Sequence, residues 1–208
     1  MSKPRSSSGS WRQRQERDPY VQQARRDGWR SRAVYKLEQI DRKERFIRPD
    51  MVCIDLGSAP GGWSQYITRR LKGRARIVAV DLLPMDALPD VEFIQGDFED
   101  DEILAQILAA AGERTTDLVM SDMAPNITGI KGVDQPRSMA LVELALDLAR
   151  QVLKPGGSFV CKVFQGEGFD AFVADARTTF GKVRVMKPKA SRAGSREVYL
   201  VARNYQLV

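Results

Sequence analysis

Lys162 stands inside Phe159-Val-Cys-Lys-Val-Phe164, a run that is otherwise apolar. A lysine in a buried strand is costly unless its charge is met. Burial or a neighbouring cation favours its neutral form, which is a base. The plainer reading is a lysine near a strand end whose ammonium snorkels to water. The chain has 208 residues and no histidine. Ser-His-Asp and Cys-His nucleophile activation are therefore excluded, as is any histidine base. Acid–base chemistry falls to Lys, Asp, Glu, Tyr or Cys. The two cysteines, Cys53 and Cys161, are too few for a disulfide framework. Without histidine they also make no ordinary tetrahedral zinc site. Both lie within apolar runs and read as core residues rather than nucleophiles.

Four acidic residues, Asp55, Asp81, Asp97 and Asp122, sit at or just past the ends of short apolar runs. The first is followed by a glycine-rich turn, Asp55-Leu-Gly-Ser-Ala-Pro-Gly-Gly-Trp63. Three ligand classes compete for such a turn. A dinucleotide site wants G-x-G-x-x-G, but the spacing here is G-x-x-x-G-G with a proline inside. A phosphate-cradling loop wants G-x-x-x-x-G-K-[ST], and that lysine is absent. S-adenosylmethionine, a sulfonium and ammonium ligand without phosphate, favours carboxylates near its charged end. Asp81, twenty positions past Gly61, suits the ribose hydroxyls, and Asp97 in Gln95-Gly-Asp-Phe98 suits the adenine amino group. The competing reading is a bare strand-to-helix turn with the aspartates as caps.

These residues need a scaffold that brings strand ends together. From Met51 onward, apolar strands alternate with helical patterns. Strands are expected at 51–56, 76–81, 91–94, 116–122 and 158–164, then near 182–186 and 197–202. Helices are expected at 63–71, 101–111, 135–153 and 169–179, with a Gly/Pro/Asn-containing loop over 123–135. That alternation predicts a mostly parallel sheet covered on both faces, with ligands outside the carboxyl ends of its strands. Only a short basic loop separates the last two strands, which predicts an antiparallel hairpin. Upstream, residues 1–17 read as a disordered basic tail, 18–48 as a basic extension and 49–208 as a single α/β domain. Ser31 is expected to cap a helix running to about Glu44, which carries Lys36 beside a stripe of Val34, Leu37 and Ile40.

Charge is split along the chain. Residues 1–48 hold 14 Lys+Arg and 6 Asp+Glu, a net +8, within a total of +6. Such a leading segment suits a polyanion, nucleic acid before an anionic membrane surface. Arg25, Arg26, Arg30, Arg32, Lys182, Lys187, Lys189 and Arg192 are candidate phosphate contacts. No apolar run is long enough to span a membrane. The acid-poor, Ser- and Arg-rich start resembles an organelle transit peptide only weakly, and reduced thiols in the cytoplasm are the expected state.

Taken together, Lys36 in Ser-Arg-Ala-Val-Tyr-Lys-Leu, the Asp55 to Trp63 turn, Ser121-Asp-Met-Ala-Pro-Asn126, Lys162 and Glu197 resemble the FtsJ/RrmJ family. This is the bacterial ribosomal RNA large-subunit methyltransferase E group. The likeness covers about residues 18 to 205. It implies a Rossmann-like methyltransferase fold, a seven-stranded, mostly parallel sheet with the last strand antiparallel and helices on both faces. It implies methyl transfer from S-adenosylmethionine to a uridine ribose 2′-OH in 23S rRNA of the large ribosomal subunit. Carried over by position, Gly61, Trp63, Asp81, Asp97 and Asp122 would bind the cofactor, and Lys36, Asp122, Lys162 and Glu197 would form the catalytic set. Lys162 is then the general base. Lys36 would favour its neutral form, and the two carboxylates would fix its position and oppose that. No metal and no membrane are required, and a monomer is expected. A ribose methyltransferase acting on tRNA or an mRNA cap, or a non-catalytic ribosome-assembly factor, would share much of this sequence. An amine-methylating relative would need an N-P-P-Y-type motif after the fourth strand, which is missing.

Overall fold

The computed structural model describes residues 17–112, 114–125 and 128–207. Most of the expected tail therefore lies outside the described residues, as does Asn126. In chain order the elements are α1 (Pro19–Arg26), α2 (Val34–Glu44), β1 (Met51–Leu56), α3 (Gly62–Leu71), β2 (Ala75–Asp81), β3 (Val91–Gln95) and α4 (Asp101–Ala111). They continue with β4 (Thr116–Ser121), α5 (Lys131–Val152), β5 (Leu153–Phe164), α6 (Phe169–Thr179), β6 (Phe180–Met186) and β7 (Glu197–Tyr205). The strands form one sheet in the order β3-β2-β1-β4-β5-β7-β6. All neighbours pair parallel except at β7, which is antiparallel to both β5 and β6. The expected seven-stranded mixed sheet and terminal hairpin are both present.

Strand side chains alternate between faces, and the sequence uses that period to build two cores. Ile54, Leu56, Val119, Phe159, Cys161 and Val163 point to one face, where α4, α5 and α6 bring Ile107, Leu146, Ala149 and Phe172. Cys53, Ile77, Leu118, Met120, Val160 and Tyr199 point to the other, covered by Leu37 and Ile40 of α2 and Trp63 and Ile67 of α3. Each aliphatic side chain so buried contributes about 1.5–3 kcal/mol. The basic extension is thus part of the sheet's cover: its stripe of Val34, Leu37 and Ile40 is fully buried.

Four boundaries differ from expectation. Residues 19–26 form a helix, started by the Asp18 side chain accepting from the Tyr20 amide and by proline in the first turn. Ser31 does not cap α2. Its carbonyl instead accepts from the Val34 amide in a tight turn, and the N-cap is Ala33. Helix α5 begins at Lys131 rather than Gln135, because Asp134 accepts from the Thr128 and Gly129 amides and closes the preceding loop onto the first turn. Pro136, which suggests a helix start, sits inside the helix at a solvent-facing position. Strand β5 begins at Leu153, since the Lys154-Pro-Gly-Gly157 segment stays in the sheet as an irregularity opposite Thr116 and Leu118.

Candidate active site

The register of the sheet decides which strand ends meet. Ser121 pairs with Cys161, so Asp122, one residue past β4, lies beside Lys162. Lys162 pairs with Tyr199, and Phe164 with Glu197. Lys162, Tyr199 and Glu197 share the face covered by α2, as do Leu118 and Met120 before Asp122. Helix α2 lays Lys36 over the same face, with its ammonium 5.6 Å from the Tyr199 ring centre.

The polar contacts form one chain. Lys162 Nζ donates to the Asp122 carbonyl at 2.6 Å and lies 3.4 Å from Asp122 Oδ1. Tyr199 donates its hydroxyl to Asp122 Oδ1 at 2.6 Å, and that hydroxyl also lies 3.4 Å from Glu197 Oε1. Glu197 Oε1 is 2.8 Å from Lys36 Nζ and accepts from the Ser191 hydroxyl at 2.8 Å. The Lys162 and Lys36 side chains are only 9% and 11% exposed, so these are largely desolvated charges that need their partners. The Lys162 ammonium is paired in place rather than snorkelling out. Burial alone would raise the Asp122 pKa, but Lys162, Lys36 and the Tyr199 hydroxyl outweigh it and hold the carboxyl below its ordinary value. Burial and the two neighbouring carboxylates push the Tyr199 phenol well above its ordinary value. It stays a neutral donor.

Beside this chain a cavity of about 710 Å³ opens at the carboxyl ends of β1, β2 and β4. Asp81, Asp97, Glu99 and Asp122 line it, with Phe98 and Met123. The Asp81 carboxylate accepts from the Ala59 and Leu83 amides, both at 2.8 Å, which fixes the turn against the strand end. Asp97 Oδ1 accepts from the Glu99 amide at 3.0 Å. Gly57 has φ +73°, and an added Cβ there would stand 2.6 Å from Met123 Cγ. The turn after β1 can pack against the segment after β4 only without a side chain at that position. Asp55 lies beneath, 1% exposed, accepting from the Ser64 hydroxyl at 2.7 Å. Burial and the nearby Asp122 and Asp81 charges push its pKa up to about 7, against the Ser64 bonds.

Lys36, Asp122, Lys162 and Glu197 therefore converge, and Asp81, Asp97 and Asp122 share the cavity. Gly61 and Trp63 do not line that cavity. The Trp63 side chain is 3% exposed, donates to the Ala33 carbonyl at 2.9 Å and packs on Tyr199. Gly61, at φ +102°, is the N-cap of α3 beside Arg30 and Met85. Several candidate phosphate contacts are tied up internally. Arg30 donates to the Pro60, Asp86 and Ala87 carbonyls, Arg32 to Asp18 and Ala190, and Lys187 to Ser195. Sequence reasoning passed over Tyr199, Ser191 and Arg137. Tyr199 had a readable signal, two places after Glu197 and hence on the same strand face. Ser191 had none.

The family model for FtsJ-like methyltransferases matches residues 29–205. The chain belongs to the FtsJ-like methyltransferase family. It is 55% identical over 206 residues to the ribosomal RNA large subunit methyltransferase E of Pseudomonas fluorescens, covering 99% of this chain and 98% of that protein. The Legionella pneumophila protein of the same name is 53% identical over 207 residues, covering both chains fully. Among solved structures, a putative ribosomal RNA methyltransferase from Plasmodium falciparum superposes with a TM-score of 0.72 at 31% identity, over 85% of this chain and 98% of that one. Human methyltransferase-like protein 13, solved in complex with SAH, shares the fold at a TM-score of 0.57 and 17% identity, over 84% of this chain and 82% of that one. This FtsJ-like chain is thus an rRNA methyltransferase with a Rossmann-like fold.

Proposed function

We propose that the chain transfers a methyl group from S-adenosylmethionine to the 2′-OH of a uridine ribose in 23S rRNA of the large ribosomal subunit. One observation carries the reading: Asp122 lines the cavity and also holds Lys162. A ligand in the cavity and a nucleotide at the lysines would share that residue. The cavity's charges suit the cofactor. Among the described residues, four carboxylates line it against one cation, Arg137, which disfavours a phosphate-bearing dinucleotide and favours a ligand carrying a sulfonium and an ammonium. Its volume is ordinary for a cofactor site. The SAH complex of the human structural neighbour agrees at the level of fold.

When bound, S-adenosylmethionine would supply an electrophilic methyl carbon and leave as a neutral thioether. Asp122 would set its carboxylate beside that positive charge. Asp81 and Asp97 would accept from the ribose hydroxyls and the adenine amine. On the RNA side, Lys162 in its neutral form takes the 2′-OH proton as the ribose oxygen attacks. The Asp122 carbonyl and carboxylate hold Nζ, and Tyr199 links that pair to Glu197 and Lys36. Holding both substrates in line supplies much of the acceleration. The two buried, reduced thiols suit a cytoplasmic enzyme.

The test is methyl transfer from radiolabelled cofactor to undermethylated large subunits, with nuclease mapping of the product and tRNA as a parallel acceptor. The expected product is 2′-O-methyluridine in 23S rRNA. Lys162→Ala should bind the cofactor normally and lose about 10²–10⁴-fold in transfer rate. Full activity in that variant refutes the base assignment, and labelled tRNA refutes the substrate.

A further inference from the structure

Glu44 closes the last turn of α2 and is 5% exposed. A buried carboxylate needs one cation to meet its charge. The fold supplies three. Arg184 Nη1 stands 2.8 Å from Oε1, Lys182 Nζ 3.1 Å from Oε2 and Arg203 Nη1 3.8 Å from Oε2, and Arg203 also donates to the Glu44 carbonyl at 2.7 Å. Their side chains remain 58%, 44% and 33% exposed, so the cluster presents a surplus of two positive charges to solvent. Lys43 and Arg45, on either side of Glu44, are exposed as well.

The cluster lies on the same sheet face as the lysine site. Met186 pairs with Tyr199, Arg184 with Val201 and Lys182 with Arg203, so these β6 and β7 residues share the sheet face that α2 covers. Eight residues of α2 separate Lys36 from Glu44, about 12 Å. Six residues of β7 separate Glu197 from Arg203, about 20 Å. We infer that the Glu44-centred cluster of Lys182, Arg184 and Arg203 is a second RNA contact, which binds backbone phosphate a few nucleotides from the methylated ribose. Glu44 acts as the buried post that holds the cations in a fixed array, and the surplus charge is what a phosphate meets. Charges on an edge strand also discourage sheet-to-sheet pairing, but that role needs neither a buried carboxylate nor Arg203 on the inner strand β7.

This inference rests on the large subunit being the substrate. Its test compares the unaltered chain with Lys182→Gln/Arg184→Gln, and with Arg76→Gln on the far side of the sheet as a charge control. Each is assayed for KM and kcat on undermethylated large subunits and for binding across a salt series. The double variant should raise KM several-fold with kcat at saturation unchanged. It should also flatten the plot of log affinity against log salt by about 0.7–0.9 for each phosphate that is no longer neutralised. Arg76→Gln should do neither. An unchanged slope and KM, a fall in kcat alone, or an equal effect from Arg76→Gln overturns the inference. An unaltered chain that does not methylate large subunits overturns the substrate reading and this inference with it. A chain that does, beside an indifferent double variant, overturns this inference alone.

Discussion

Asp55→Asn should change how stability depends on pH in a calculable way. Asp55 is fully buried at the end of β1, and burial, with the charges of Asp122 and Asp81, raises its pKa from 3.8 to about 7. In the unfolded chain it titrates near its ordinary value. Between those two pH values the folded state binds more protons than the unfolded one, so stability falls as pH rises. The slope from this one group is about 1.4 kcal/mol per pH unit, and a rise from 3.8 to about 7 totals about 4 kcal/mol. Below pH 4 the contribution is fully present, and above pH 7 it is gone. The asparagine keeps an acceptor for the Ser64 hydroxyl but cannot ionise. Urea unfolding of both proteins from pH 4 to pH 8 isolates the effect, because other titrations cancel in the difference. Relative to the unaltered chain, the variant should gain about 4 kcal/mol across that range. Its absolute offset is set by how its new N–H group is satisfied, about 1–3 kcal/mol. A difference that stays flat with pH refutes the assignment of a protonated, desolvated carboxyl at this position.

Two further outcomes follow from the same packing. Tyr199→Phe removes the donor to Asp122 Oδ1 while keeping the buried ring. It should lower unfolding stability by about 1.5–3 kcal/mol, the range for a hydrogen bond to a charged group, read from urea midpoints. Cys53 and Cys161 are fully buried, with thiols pushed far above their ordinary value by desolvation. Both should resist a thiol reagent in the native protein and react together once it is unfolded, and a fast native phase would contradict their placement.

Much of the fold was legible because its signals are local. The apolar runs at 51–56, 116–121 and 158–164 mark strands buried on both faces, and the Val34, Leu37, Ile40 stripe marks a helix face. Errors gathered where punctuation residues were absorbed. Pro136 was accepted inside α5, where it has no amide to offer the carbonyl of solvent-facing Gly132, and Pro155-Gly-Gly157 was accepted inside β5 opposite an irregular register. The short α1 has little apolar signal of its own, with Ala24 its only buried residue. Among the site residues, the lysines and carboxylates stood out because charge is costly in apolar strands. Trp63, a cofactor contact by family resemblance, has its indole buried between α2 and Tyr199. The free and committed arginines could not be separated at all, since Arg30 and Arg32 find their partners tens to more than a hundred residues away.

By itself the sequence determined the kind of chemistry. The absence of histidine left Lys, Asp, Glu, Tyr and Cys for acid–base work, the strand–helix alternation set an α/β sheet, and the spaced motifs pointed to one methyltransferase family. Tertiary structure decided how those groups meet. Strand order and register put Asp122, Lys162, Tyr199 and Glu197 on one face, and α2 brought Lys36 to Glu197 and Glu44 to its three cations. The physical reason is that periodicity records which residues are buried, through 3.6- and 2-residue repeats. Which buried charge faces which is set by pairings across dozens of residues, and no local repeat carries that information.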